Sequence, residues 1–243
     1  MYNYIFFLAD SLEKVFPLVH PRIMPNGQDM PVFAGEIPAV QLVYTRQKEH
    51  TRVPPKPISI SVKGSPAEAV LRSVELIPAD FPAYETADDN YIITEPGLFP
   101  DLLKPLIKNE IIPVPGQYRS VWIDFPGIGG EAKGKYKIVI SLSEDNKVIK
   151  ELNFNFNVLG LPLPAQDIIH THWFYADCLS SFYNTEPLGE EHWKIIEEFI
   201  KPMSSAYSVN MLLTPVFTPP LDTLVGGERP TIQLVGIKIT NGV

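Results

Sequence analysis

Apolar and polar residues alternate with a period of two in several short segments of the first two thirds of the chain. That spacing gives a strand one core face and one wet face. Ile58, Ile60 and Val62 alternate with Ser59, Ser61 and Lys63, and Tyr136, Ile138, Ile140 and Leu142 stand against Lys135, Lys137 and Ser141. The cleanest run is LNFNFNV, where Leu152, Phe154, Phe156 and Val158 share one face and Asn153, Asn155 and Asn157 the other. Between the last two runs lie Glu144, Asp145 and Asn146, a turn composition that predicts an antiparallel hairpin. The apolar opening at 2–9 reads as another strand. Nineteen of the 25 prolines fall in residues 1–164, which forbids long helices there. Short strands separated by proline and glycine turns predict a mainly β fold with an immunoglobulin-like β-sandwich over residues 1–164. Gly134-Lys135-Tyr136 could begin a strand as a tyrosine corner does; a simple core tyrosine is the plainer reading.

The pattern changes after LGLPLPAQD (159–167), a linker with two prolines. IIHTHWF (168–174) and VNMLLTPVF (209–217) are apolar runs, and EEHWKIIEEFIKPMSSAY (190–207) has helical spacing. Its predicted core stripe is Trp193, Ile196, Phe199, Ile200 and Met203, with Glu190 and Glu191 at the positive end of the helix. Pro202 predicts a kink or an early stop. Strand, helix and strand make one βαβ unit. Parallel strands are buried on both faces and need neighbours, so residues 165–243 are expected to be the first part of a larger, here incomplete, α/β structure. TPPLDTLVGGERP then reads as a long loop and TIQLVGIKIT returns to alternation.

A net charge of −8 and a pI near 5.2, with no cluster of Lys and Arg, exclude nucleic acid as a partner. Cys178 is the one cysteine, so an internal disulfide and a cysteine-based metal cluster are excluded, and a buried small hydrophobe is the expected role. The apolar run at the N-terminus is too short for a signal peptide or a membrane span, which predicts a cytoplasmic protein with no membrane partner. No Gly-x-Ser-x-Gly elbow occurs, and GIGG (127–130) and VGGE (225–228) lack the lysine of a phosphate loop. No cofactor is expected.

PGLFPDLLKPL (96–106), the tryptophan strand YRSVWIDFP and the GKYKIVISL strand together resemble the accessory β-sandwich of family 123 glycoside hydrolases and related uncharacterised proteins. HWFYADCLSSFYN, EEHWKIIEEFI and above all NMLLTPVFTPPLDTLVGGERPTIQLV resemble the first two strands and first helix of that family's (β/α)8 catalytic domain. The resemblance spans nearly the whole chain and implies a hydrolase of β-linked N-acetylgalactosamine. Its mechanism would be retaining and substrate-assisted, the acetamido oxygen attacking the anomeric carbon. It implies a carbohydrate partner, an N-acetylhexosamine-containing glycan. It also implies an adjacent Asp-Glu pair on a later barrel strand, and no such pair occurs here. The adjacent acids, Asp88-Asp89, Glu144-Asp145, Glu190-Glu191 and Glu197-Glu198, fall in turns or on a helix. No catalytic residue is therefore assigned, and the expectation is a truncated family member that is inactive alone.

In a (β/α)8 barrel the ligand lies at the carboxyl ends of the strands. That places His172, Trp173, Tyr175 and Asp177 at the first end, and Thr218, Asp222 and Arg229 after the second, as candidate substrate-binding residues. Aromatic faces stack on sugars and polar groups take hydroxyls. The competing structural roles are packing under the helix for Trp173 and Tyr175, a turn cap for Asp177, and a loop clamp for Arg229.

Two rival readings remain. In the first, a non-catalytic carbohydrate-binding or assembly module uses Tyr84, Tyr91 and Phe99 as a platform. In the second, His170 and His172, on one face of a strand, serve a metal-dependent hydrolase; the further ligands such an enzyme needs are not evident, so no metal is assigned. Exposed barrel-strand edges suggest a homodimer through residues 165–243, or packing of that segment on the sandwich.

Overall fold

The structure, a computed structural model, describes residues 3–47, 55–80, 91–164, 167–174, 176–205 and 207–213. The chain divides into two compact units, Met1–Pro164 and Ala165–Val243.

The first unit is mainly β. Its strands are β1 (Tyr4–Asp10), β2 (Asp29–Ala34), β3 (Ala39–Arg46), β4 (Ile58–Lys63), β5 (Val70–Ala79), β6 (Gly97–Pro105), β7 (Glu110–Ile111), β8 (Arg119–Asp124), β9 (Gly134–Glu144) and β10 (Lys147–Pro162). They form two five-stranded sheets, ordered β1-β3-β8-β5-β6 and β2-β10-β9-β4-β7. All neighbours are antiparallel except β2 and β10, which run parallel with Asn155 opposite Asp29. Both sheets contribute to one apolar core, Leu8, Leu42, Val121 and Ile123 from the first meeting Ile60, Ile138, Ile140, Phe154 and Phe156 from the second. The alternation in the sequence is thus realised: Leu152, Phe154, Phe156 and Val158 are all buried.

The predicted hairpin joins β9 to β10, with Glu144 opposite Lys147. Asp145 (φ 49) and Asn146 (φ 62) both sit in the left-handed region, the requirement of a type I′ turn and the reason short polar side chains stand there. Tyr136 packs at the margin of the core. The asparagine face is less wet than its composition suggests. The side-chain amide of Asn155 donates to the Gly27 carbonyl at 3.0 Å and to Asp29 Oδ1 at 2.9 Å, and the Asn153 N–H donates to Asn26 Oδ1 at 2.9 Å. These contacts dock residues 26–29 and so guide β2 alongside β10.

On the other sheet, Phe6 and Leu8 of β1 face the common core while Phe7 and Ala9 pack with Val15 and Val43 in a second cluster. This two-sided burial explains a run without alternation. Gln41 is buried and satisfied: its amide nitrogen donates to the carbonyls of Asp10 and Glu13 at 3.0 and 2.7 Å, and its oxygen accepts from Ser120 Oγ at 2.9 Å. It fastens the loop after β1 onto the sheet. Burial pushes the Tyr44 hydroxyl up to about 12, against the opposing pull of Arg119, so this residue stays neutral at ordinary pH.

In the second unit β11 (Thr171–Trp173), α1 (Asp177–Tyr183), α2 (Glu190–Ser205) and β12 (Met211–Leu213) follow in order. Several sequence expectations are corrected here. Strand β11 is shorter than the apolar run 168–174, since Ile168 and Ile169 are 73% and 69% exposed. Helix α1 was not expected: it begins at Asp177, and Asn184 in the left-handed region ends it. Cys178 lies on its exposed side, because Leu179 takes the inward position. The buried stripe of α2 is centred on His192 and Ile196, with Ile195 and Ile200 beside it, whereas Trp193 and Phe199 are 48% and 42% exposed. Ile196, Ile200 and the half-buried Met203 keep their expected places, while the buried side extends toward His192 and Ile195 and leaves Trp193 and Phe199 outside. Pro202 does not stop the helix, which ends three residues later at Ser205.

Candidate functional site

The strand ends of the second unit are where the sequence places its candidates. Strands β11 and β12 pair in parallel, with Thr171, His172 and Trp173 opposite Met211, Leu212 and Leu213. The Phe174 N–H extends the ladder to the Leu213 carbonyl at 2.8 Å. Asn210 closes the entry to the pair. Its Oδ1 accepts from the His170 N–H at 2.8 Å and its Nδ2 donates to the Ile168 carbonyl at 3.1 Å, a side chain standing in for the ladder before the strands begin.

The link that shapes the loop after β11 is His192. It is completely buried. The Leu188 N–H donates to its Nδ1 at 2.8 Å, and its Nε2 lies 2.7 Å from the Ala176 carbonyl. A carbonyl only accepts, so Nε2 carries the proton and the ring is the neutral tautomer donating at one end and accepting at the other. It ties the start of α2 to the start of α1, and the same bond holds Leu188 at a φ of 59°, a region branched aliphatic residues avoid. Sequence reading missed this positioning residue. The available signal was a histidine four residues after Leu188, at the place where a helix-start side chain reaches back to an orphan N–H.

Of the predicted site residues, His172 and Trp173 lie in β11 and Asp177 begins α1; the His172 side chain is exposed. Tyr175, Thr218, Asp222 and Arg229 lie outside the described residues. The rings of His170 and His172 are side by side, with Nε2 atoms 3.1 Å apart. Among the described residues no group of three or more His, Cys, Asp or Glu is placed to hold a metal ion. No helix among them is long and apolar enough to cross a membrane.

In the first unit, a cleft of about 440 Å³ is lined by residues including Asp10, Glu13, Arg22, Met24 and Gln28. The Glu13 carboxylate is engaged by Arg22 through both its N–H and its Nε, at 3.0 and 3.1 Å. None of the residues lining the cleft is aromatic. Of the residues of the expected sugar platform, Phe99 packs edge-on against Phe16, Tyr91 is 47% exposed, and Tyr84 lies outside the described residues.

A family model of the catalytic domain of glycoside hydrolase 123 matches residues 173–243, the part of the chain that holds these strand ends. Through that segment the chain is related to family 123 glycoside hydrolases. Among solved structures, a family 123 glycoside hydrolase from Clostridium perfringens, studied for glycolipid glycan hydrolysis, is similar to 83% of this chain with a TM-score of 0.61 and 17% identity. At that identity the likeness speaks for the fold. The chain spans 36% of that protein's length. A β-glucosidase from Listeria innocua gives a TM-score of 0.26 at 10% identity over 67% of this chain and 17% of its own, too low to imply a shared fold. Comparison with curated proteins finds no match.

Proposed function

We propose that this chain supplies an accessory immunoglobulin-like β-sandwich (1–164) and the first βαβ segment of a (β/α)8 catalytic fold (165–243) to a retaining glycoside hydrolase of β-linked N-acetylgalactosamine. The observation that carries this reading is the family match over 173–243 in a chain without an Asp-Glu pair. Two sheets around one core and a parallel strand pair joined through helices support the two architectures. The link of the clostridial relative to glycolipid glycan hydrolysis supports a carbohydrate partner. His172, Trp173, Tyr175, Asp177, Thr218, Asp222 and Arg229 would line the sugar side of the strand ends, where parallel α/β folds place ligands.

Substrate-assisted hydrolysis needs one carboxylate to orient the acetamido group and one to act as acid and base. The chain has neither on a matching motif. The expected result is therefore no turnover of an aryl β-N-acetylgalactosaminide by purified residues 1–243, and measurable release of the aryl group by this chain would refute the reading.

The described part of the second unit has a small apolar cluster, Ala176, Leu179 and Ile196 with Phe174, Ile195 and Ile200 packed against it. A parallel pair of three-residue strands needs further cover, so we expect self-association through this unit. Sedimentation velocity should show a dimer population that grows with concentration. A single monomer species across a hundredfold range of concentration would reject it.

A further inference from the structure

The geometry points to a binding site for a late first-row divalent cation, of the zinc, nickel or copper type, formed by the imidazoles of His170 and His172. The two residues stand two apart on one extended segment, which aims their side chains to the same side. Their Nε2 atoms are 3.1 Å apart. With metal–nitrogen bonds of about 2.0–2.1 Å, two nitrogens at that spacing subtend roughly 100° at a shared ion, between octahedral and tetrahedral angles. The ring centroids are 4.9 Å apart and the planes are inclined by 58°, so the rings neither stack flat nor turn away from one another.

The backbone beneath the pair is already fixed. The His170 N–H donates to Asn210 Oδ1 at 2.8 Å, and the His170 carbonyl accepts from the N–H groups of Asn210 and Met211, each at 3.3 Å. His172 stands in the ladder opposite Leu212. Little backbone ordering is left for a ligand to impose, which favours binding. The alternative occupant of the gap is a single proton, one ring donating and the other accepting. With His172 exposed, water competes for that hydrogen bond and it contributes little.

Imidazole selects borderline cations, whereas magnesium and calcium take oxygen ligands. No third His, Cys, Asp or Glu among the described residues joins the pair, so water would fill the remaining positions. The inference is independent of the glycosidase reading, and its failure would leave that reading intact.

The test uses the tag-free chain, stripped with a chelator and titrated with copper(II), nickel(II), zinc(II) and magnesium. One equivalent of ion should bind, with affinity falling from copper to nickel and no magnesium response. His170→Gln and His172→Gln should each weaken copper binding by at least about tenfold, since each removes one arm of a chelate. His20→Gln, whose ring stacks on Phe7 in the first unit, should leave it unchanged. Electron paramagnetic resonance of the copper-loaded unsubstituted chain should show two imidazole nitrogens in the ligand plane. Absence of saturable binding, undiminished affinity in both glutamine variants, or a spectrum with fewer than two imidazoles would overturn the assignment.

Discussion

Truncating Phe156 to alanine is expected to destabilise the first unit by about 3–5 kcal/mol, the usual range for a buried phenylalanine. Its ring is fully buried and meets Phe125 at 5.0 Å and Phe154 at 5.2 Å, both edge to face. Phe125 follows β8 and Phe154 lies on β10, so this trio bridges the two sheets, and removing one ring costs transfer energy, aromatic contacts and a cavity together. Folded domains are stable by only about 5–15 kcal/mol. The Phe156→Ala chain should accordingly unfold at a much lower urea concentration, with Val148→Ala as an exposed control within about 0.5 kcal/mol of the parent. A shift in urea midpoint no larger than that of the control would show that the core lies elsewhere.

His192→Ala should weaken the second unit by about 2–4 kcal/mol. The change leaves the half-buried Leu188 N–H without its acceptor, at about 1–3 kcal/mol, takes one of two donors from the Ala176 carbonyl, which keeps the Leu179 N–H at 3.1 Å, and adds a cavity. The affected apolar cluster is small. The expected readout is hydrogen exchange at the amides of α1 and α2 faster by roughly two to three orders of magnitude, with amides of β9 and β10 unaffected. His192→Gln, which can still reach the Ala176 carbonyl, should recover part of the protection. Unchanged exchange in α1 and α2 of the alanine variant would mean that the imidazole is a passenger.

How far the sequence could be read depended on where each element finds its partners. LNFNFNV could be placed because its own period of two sets which side is buried, and Asp145-Asn146 could be placed because only a few residue types accept two successive positive φ angles. Both are local constraints. The docking of residues 26–29 by Asn153 and Asn155 was hidden, since it joins positions more than a hundred residues apart and asparagine composition alone says only that the face is polar. Helix α1 escaped notice because Cys178-Leu179-Ser180-Ser181-Phe182-Tyr183 contains one strong helix former. On α2 the hydrophobic pattern favoured Trp193 for the interior. The inward residue is His192, whose burial depends on two backbone groups that only the folded loop supplies. The relation to family 123 was legible in the segment running through β12, while the candidate residues beyond Leu213 fall outside the described residues.

The parallel pairing of β2 with β10 has a consequence for how the protein is made. Asp29 lies opposite Asn155, so well over a hundred residues must leave the ribosome before the first of these strands meets its neighbour. At about 5–20 residues per second, β2 and the loop before it wait on the order of ten seconds with their hydrogen-bonding edge open. During that interval β1 can already zip onto β3, whose residues Ala39–Arg46 follow closely behind. The nascent chain therefore completes the first sheet once β8 emerges, and leaves β2 apart from β4 and β7 in the other until β9 and β10 arrive, which is when chaperone cover would matter most.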